Sequence, residues 1–145
     1  MEVWEIKPEA PMARLLVIDD DHVFLTLMIR TLEQRGHEVA FAHDGAAGER
    51  MFAAGEYDAV VCDIVMPEQE GVQTIRQMRA HRPGVGIVAI SGGLSFGNSS
   101  SVDVLDIAGK FGADITLKKP FQLPELVAAV DQVLSNRRTA QASQN

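Results

Sequence analysis

Five short apolar runs, separated by stretches with helical periodicity, limit most strongly what this chain can fold into. The runs occupy residues 15–18, 39–42, 59–62, 86–90 and 113–117. The first, third and fourth lack the polar–apolar alternation of a half-exposed strand, as is typical of strands covered on both faces. The second run is short and the fifth contains Asp and Thr, so both suit positions nearer a sheet edge. We therefore predict an α/β fold of five (βα) units, a parallel sheet with helices on both faces.

The helical stretches divide the rest of the chain. One apolar stripe predicts a helix that Gly36 ends with a left-handed cap; it consists of Phe24, Leu27, Met28 and Leu32. A longer stripe over 123–134 predicts a C-terminal helix closed by Arg137 and Arg138, where cations suit the helix dipole. Weaker stripes occupy 45–54, 72–79 and 102–111. We predict an N-terminal extension over 1–12, a single domain over 13–138 and a disordered polar tail over 139–145.

Charge and composition exclude several classes of protein. The 145 residues include 13 Lys or Arg and 20 Asp or Glu, a net charge of −7 with no basic block. We expect no direct binding of nucleic acid, because its phosphates require clustered cations. The single cysteine, Cys62, excludes an internal disulfide and a cysteine-cluster zinc site. No apolar run reaches the roughly 20 residues of a membrane span, and the chain begins without a secretory signal. We expect a cytoplasmic protein with no membrane insertion.

Polar residues follow four of the five apolar runs. Asp19, Asp20 and Asp21 follow the first run and Asp63 follows the third. Ser91 follows the fourth and Lys119 the fifth, and the carboxyl ends of parallel strands share one edge of a sheet. Two or three carboxylates within about 4–6 Å cannot all stay ionised without a cation, for which Mg²⁺ is the best candidate. The arrangement suits attack on a phosphoryl group, with Asp63 as the nucleophile.

Each of these residues taken alone has a simpler interpretation. Asp21 is better read as the N-cap of the next helix, and the segment from His43 to Gly45 as the start of another. Lys118 is expected to point into solvent, because side chains alternate along a strand. Ser91 by itself is an ordinary loop hydroxyl. The joint placement after four separate strands is what favours a functional site.

Four segments together closely resemble the receiver domain of two-component response regulators, in its stand-alone, chemotaxis-regulator-like form. They are Leu-Leu-Val-Ile-Asp19-Asp20-Asp21, Asp63-Ile-Val-Met66-Pro67, Ala-Ile-Ser91-Gly and Lys119-Pro120-Phe121. The resemblance extends from about Ala13 to Arg137, with the motifs in the family's order and spacing. It implies a flavodoxin-like, doubly wound fold with strand order 2-1-3-4-5.

The resemblance also implies a role for each site residue. Asp63 is the phosphoacceptor, Ser91 hydrogen-bonds the bound phosphoryl group and Lys119 forms an ion pair with it. The implied Mg²⁺ ligands are Asp19, Asp20, Asp63 and the backbone carbonyl of Val65. The bond between Lys119 and Pro120 is expected to be cis, which X-Pro bonds tolerate.

The implied partners are proteins. A sensor histidine kinase or a histidine phosphotransfer protein donates the phosphoryl group, and the face formed by the fourth helix, fifth strand and fifth helix then controls an unknown downstream protein. The receiver itself has only self-phosphorylation and autodephosphorylation activity, and homodimer formation stays open. An unphosphorylated docking module, or a receiver fragment of a larger regulator or hybrid kinase, remains an alternative. A magnesium-dependent phosphatase normally has a second acid two residues after its nucleophile, where this chain has Val65.

Two positions depart from the family pattern. Thr116 stands where the family usually has Tyr or Phe, so the usual aromatic switch cannot operate. The segment over 92–101 is longer than the usual link after the fourth strand, and it contains Phe96 as a substitute apolar plug or an ordinary core residue.

Overall fold

The computed structural model describes residues 13–64, 70–91, 109–110 and 112–143. Five parallel strands form one sheet in the order β2-β1-β3-β4-β5. They are β1 (Arg14–Ile18), β2 (Glu38–Ala42), β3 (Ala59–Asp63), β4 (Gly86–Ser91) and β5 (Ile115–Lys118). The predicted fold class and strand order are confirmed, and the two less apolar strands lie at the edges.

Four helices are seen in the described part of the chain. They are α1 (His22–Gln34), α2 (Gly45–Ala54), α3 (Glu70–His81) and the C-terminal helix (Leu123–Ser143). Of the helix predicted over 102–111, only Gly109 and Lys110 fall within the described residues, and both are helical. The N-terminal extension and the segment over 92–101 lie outside them. No described helix is long and apolar enough to cross a membrane.

Alternate residues of each central strand belong to different cores. In β1, Leu16 and Ile18 pack with Phe52 of α2 and the buried side chains of α3. Leu15 and Val17 face the other way and pack with α1 and the C-terminal helix. The sheet is therefore covered on both faces, which explains why its central strands are continuous apolar runs.

Local capping sets the helix starts as predicted. The Asp21 carboxylate accepts hydrogen bonds from the backbone N–H groups of Val23 and Phe24 at 3.1 Å, which makes it the N-cap of α1. Asp44 caps α2 in the same way, accepting from the N–H of Ala47 at 2.7 Å. Gly36 follows α1 with φ of 92°, the left-handed conformation that glycine adopts without strain.

Two details of the helices differ from the sequence prediction. Leu27 is 46% exposed, whereas Leu25 is buried; at 100° per residue Leu27 lies about a quarter turn from Met28, outside the core-facing stripe. The C-terminal helix continues to Ser143, so the prediction of a disordered tail is wrong over residues 139–143. After Pro124 the chain contains neither Gly nor Pro, so nothing in the sequence stops the helix.

The Arg79 side chain ties α3 to the segments that lead into β4 and β5. Its guanidinium donates to the carbonyls of Pro83 and Val85 at 2.7 and 2.6 Å. Nε and Nη2 donate to the carbonyl of Gly112 at 3.0 and 2.8 Å, and Nη2 also bonds the Asp114 carboxylate at 2.7 Å. One side chain thus fixes how both strands enter the sheet.

Candidate functional site

The side chains of three polar residues converge because each residue follows a strand of the sheet and points to the same face. These residues are Asp19, Asp63 and Lys119. Residues two apart in a strand point to the same face. Asp19 therefore shares the face of Val17, Asp63 that of Val61 and Lys119 that of Leu117, all on the core between the sheet and α1. Ile18 pairs with Cys62, so the next residues, Asp19 and Asp63, lie side by side.

Lys119 bridges the two buried carboxylates. Its Nζ lies 3.3 Å from Oδ2 of Asp19 and 3.4 Å from Oδ2 of Asp63. The Asp19 side chain is fully buried, that of Asp63 is 4% exposed and that of Lys119 is 19% exposed. Buried charges of one sign require a partner of the other, so the ammonium is what permits two carboxylates at this depth.

Asp20 completes a cluster of three acids. One carboxylate oxygen from each of Asp19, Asp20 and Asp63 lies within 4.8 Å of the other two, and Asp20 is the exposed member. With Lys119, the cluster carries three negative charges and one positive charge. The excess matches a divalent cation, and carboxylate oxygens are the ligands that Mg²⁺ prefers. The residues present therefore fit a Mg²⁺ site that opens to solvent at Asp20.

The backbone holds these groups in place. The Asp21 N–H donates to Oδ1 of Asp19 at 2.8 Å, so both Asp19 oxygens have partners within the protein. The Lys119 N–H donates to the carbonyl of Ser91 at 2.8 Å, and the bond to Pro120 is cis, as expected. Ser91 ends β4, one residue after Ile90, which pairs with Asp63. Ser91 thus lies at the same sheet edge, half-buried.

Two aromatic rings support the lysine, a role that sequence reasoning missed. The Nζ of Lys119 lies 4.4 Å from the centroid of the Phe24 ring, a cation–π contact. Phe24 in turn meets Phe121 edge to face, with centroids 5.5 Å apart. Phe24 has the spacing of an ordinary core residue of α1, so only its position five residues after Asp19 could have suggested proximity to the site.

Gly71 brings the start of α3 against the site. A Cβ atom at this position would lie 2.2 Å from the Cα of Ile64 and 2.7 Å from the carbonyl oxygen of Asp63. Both contacts are with backbone, so no side-chain rotation relieves them. Glycine is required here because helix and strand approach each other too closely for any side chain.

Cys62, next to the candidate nucleophile, does not belong to the site. Its side chain is fully buried in the opposite core, with α2 and α3. Burial, reinforced by the charges of Asp63 and Asp19, raises the pKa of the Cys62 thiol far above its usual range. The thiol is therefore neutral and unreactive in the folded protein.

Four aromatic or apolar side chains lie near Asp20, at the start of α1 and the end of β2, and we call them the rim. They are His22, Val23, Phe41 and His43. His22 and His43 stack with centroids 4.2 Å apart, and Phe41 meets His43 edge to face at 5.6 Å. Nearby on α1, Val23 is 73% exposed. Exposed apolar side chains beside a polar pocket are typical of a protein interaction site.

The remaining predicted positions contribute less. Lys118 is exposed, as expected, and Thr116 is also exposed. Val65, the predicted source of a carbonyl ligand, lies outside the described residues, as does Phe96.

A match to a known domain family identifies the family of this chain. The model of the response regulator receiver domain matches residues 15–131 of the chain. The chain belongs to the response regulator receiver domain family. The motifs at Asp19, Asp63, Ser91 and Lys119 had predicted this assignment, which is confirmed. We call the site formed by Asp19, Asp20, Asp63 and Lys119 the acidic pocket of this receiver.

Relatives of known sequence and structure agree with the assignment. The chain is 34% identical over 132 residues to the response regulator MprA of Mycobacterium bovis, covering 91% of this chain and 55% of that protein. It is 39% identical over 130 residues to the transcriptional regulatory protein PrrA of the same species, covering 90% and 53%. The receiver thus spans about half the length of these curated relatives.

The fold is similar to that of solved receivers. The CheY-like response regulator receiver domain protein of Methanospirillum hungatei superposes with a TM-score of 0.78 at 25% identity. The match covers 90% of this chain and 99% of that one.

Proposed function

We propose that Asp63 accepts a phosphoryl group from the phosphohistidine of a sensor histidine kinase or a histidine phosphotransfer protein. The observation that carries the proposal is the convergence of a nearly buried Asp63 carboxylate, a second buried carboxylate and one ammonium at the sheet edge. A structural ion pair would need one acid for one amine. The two further carboxylates supply oxygen ligands for a divalent cation, which together with Lys119 would keep Asp63 ionised as a nucleophile for phosphoryl transfer.

In the proposed step, a carboxylate oxygen of Asp63 bonds to phosphorus while the P–N bond to the donor imidazole breaks. The imidazole nitrogen leaves with the electron pair and takes up a proton, and an acyl phosphate remains on Asp63. Lys119 already contacts Asp63, so its ammonium is in place to pair with the added phosphoryl oxygens. The Ser91 hydroxyl is proposed as a hydrogen-bond donor to the same group.

Mg²⁺, when bound, would neutralise the charge that gathers on the phosphoryl oxygens. Asp20 is proposed as the direct ligand because its carboxylate is exposed and belongs to the acid cluster. Both Asp19 oxygens already accept hydrogen bonds, which favours a water-mediated role for Asp19. Asp63 and the backbone carbonyl of Val65 would complete the protein ligands.

The donor protein must cover the opening at Asp20 to bring its phosphohistidine to Asp63. The exposed side chains of Val23 and Phe41 at this rim, and of Leu27 one turn further along α1, supply apolar surface for such contact. Because the histidine must enter beside them, we propose that this rim forms part of the docking surface for the donor.

The output is proposed to follow from the new charge on Asp63. A phosphoryl group adds about one negative charge and strong acceptor oxygens, which draw Lys119 and Ser91 toward it. Lys119 follows β5 directly, so we propose that its movement is transmitted to β5, the C-terminal helix and the helix predicted over 102–111. A coupling of about 1–3 kcal/mol would suffice to control an unidentified protein partner. Beyond self-phosphorylation and autodephosphorylation, we propose no enzymatic activity.

Mass spectrometry after incubation with Mg²⁺ and acetyl phosphate tests the proposal. The chain is expected to gain one phosphoryl group that is stable in acid and lost in base. Asp63→Asn is expected to gain none, whereas Asp44→Asn, which changes an exposed N-cap, keeps the full gain. No gain in the unaltered chain would contradict the assignment and favour a docking module that is never phosphorylated. An equal gain in Asp63→Asn would also contradict it, because another residue would then be the acceptor.

A further inference from the structure

A second polar cleft, of about 590 Å³, lies at the opposite edge of the sheet, where the strands begin. Its walls come from the start of β1, the segment between α2 and β3, the turn before β4 and the C-terminal helix. These elements bring Arg14, Arg82 and Arg137 to one opening. Glu56 and Asp58 line the same cleft, so its charged side chains are three arginines and two acids.

Two of these arginines are anchored to the segment between α2 and β3. Nη2 of Arg82 donates to the carbonyl of Gly55 at 2.5 Å, and the guanidinium lies 4.7 Å from the centroid of the Phe52 ring. Nη1 of Arg14 donates to the carbonyl of Glu56 at 3.3 Å. Carbonyls carry no net charge, so the contact with Gly55 orients the Arg82 guanidinium without neutralising it. Arg14 also forms an ion pair with the exposed carboxylate of Glu38, with Nε 3.7 Å from Oε1.

The third arginine, Arg137, forms an ion pair with Asp58, whose carboxylate also lines the cleft. Nη1 of Arg137 donates to Oδ1 of Asp58 at 2.5 Å. The backbone N–H of Arg14 donates to Oδ2 of the same side chain at 2.8 Å. Each Asp58 oxygen therefore has a partner already. Among the described residues, Arg82 forms no ion pair with a carboxylate, although its side chain lines the same cleft as Glu56 and Asp58.

Two donors in this cluster have no hydrogen-bond partner. Nη1 of Arg82 and Nε of Arg137 are both buried and both unbonded. A buried donor without an acceptor costs about 1–3 kcal/mol, and such groups often indicate a ligand or ion that the protein binds. Both belong to arginines that line this cleft, so a ligand with acceptor oxygens bound there would supply the partners that they lack.

We propose that this cleft binds an oxyanion carrying two or more negative charges, of the phosphate or carboxylate type. The planar guanidinium fork suits both kinds of oxygen pair. The site is separate from the acidic pocket, because its residues stand at the opposite ends of the same strands. The inference does not depend on phosphorylation of Asp63.

Isothermal titration of the full chain in metal-free buffer, with inorganic pyrophosphate and with citrate as probes, tests the proposal. Divalent cations are removed beforehand on a chelating resin, because EDTA is itself a polycarboxylate and would compete with the probes. Saturable binding at one site is expected, weakened about tenfold or more in Arg82→Gln and in Arg137→Gln. Arg30→Gln, a change of an exposed arginine on α1, is the matched control and keeps the affinity.

Comparison of the two probes distinguishes the chemistry. Binding of pyrophosphate alone indicates a phosphate-type ligand, binding of citrate alone a carboxylate, and binding of both a general oxyanion site. In NMR spectra, the amide signals of Gly55 to Asp58 should shift with either bound probe. If Arg137→Gln fails to fold, Arg14→Gln replaces it, since this arginine is half-exposed. No saturable binding at about 10 mM probe, or equal binding in all arginine variants, would overturn the proposal.

Discussion

Replacing Asp20 by Asn isolates the electrostatics of the acidic pocket, because the change removes one charge and keeps the side-chain shape. The Asp20 carboxylate lies within 4.8 Å of those of Asp19 and Asp63. At that distance two unit charges repel by about 3.5 kcal/mol at an effective dielectric constant of about 20, and by about 0.9 kcal/mol in water. Attraction to Lys119 offsets about one of the two repulsions. Because Asp20 is exposed, we expect Asp20→Asn to raise the free energy of unfolding by about 1–2 kcal/mol in EDTA.

In EDTA we expect Asp20→Asn to be the more stable of the two proteins, and in saturating Mg²⁺ we expect the unaltered chain to be the more stable. A ligand at one hundred times its dissociation constant stabilises the folded state by about 2.7 kcal/mol. The unaltered chain should gain stability of this order in saturating Mg²⁺, and Asp20→Asn should gain much less, because it lacks the exposed ligand. Urea unfolding in EDTA and in Mg²⁺ at constant ionic strength measures both effects.

The neighbouring Asp21 provides the control. It is exposed and carries the same charge, but its carboxylate caps α1. Asn caps helices as well as Asp does, so Asp21→Asn should change stability by less than about 0.5 kcal/mol in either buffer. The reasoning is refuted if Asp20→Asn destabilises the chain in EDTA, or if Mg²⁺ stabilises Asp20→Asn as much as the unaltered protein.

Three further predictions concern Gly71, Arg79 and Cys62. Gly71→Ala should cost about 2 kcal/mol or more and slow phosphorylation by acetyl phosphate, because its methyl group would meet the backbone of Ile64. Gly84→Ala, with open space around its Cβ, should be nearly neutral, and equal effects of the two would count against the argument. Arg79→Met should lower the free energy of unfolding by about 2–4 kcal/mol in urea, and a loss below about 1 kcal/mol would show that its hydrogen bonds matter little. Burial raises the pKa of Cys62, so the unfolded chain loses this thiol proton near pH 8.5 while the folded chain keeps it. Stability relative to Cys62→Ala should therefore fall by up to about 1.4 kcal/mol per pH unit above that pH, and a constant difference between about pH 8 and pH 10 would contradict this.

Much of the fold could be predicted because its signals are local. Apolar runs without alternation marked the central strands, and Asp21, Asp44 and Gly36 marked helix ends through chemistry confined to one turn. The position of Leu27 differs from the prediction because the spacing of apolar residues does not fix which part of the helix surface faces the core. The end of the C-terminal helix cannot be predicted because the sequence contains no stop signal there, and polar composition alone does not distinguish an exposed helix from a disordered tail.

The convergence of the site could be predicted from topology, but its supporting contacts could not. Parallel strands deliver their carboxyl ends to one edge, which suffices to bring Asp19, Asp63 and Lys119 together. The ring of Phe24 beneath the lysine depends on the angle at which α1 packs on the sheet. The arginine cleft depends on contacts between residues up to 79 positions apart, such as Arg137 and Asp58, and leaves no motif in the sequence.

The two separate cores on either side of the sheet tie the acidic pocket to the pairing register of its strands. Deleting a single residue within β3 would rotate every later side chain of that strand to the other face, so that the Asp63 carboxylate would point toward α2 and α3 and an apolar group would take its place beside Lys119. The later residues of β3 would then face the opposite core from the one they pack in now. A change that shifts the nucleophile along β3 is therefore expected to disturb the packing of both cores as well as the acidic pocket.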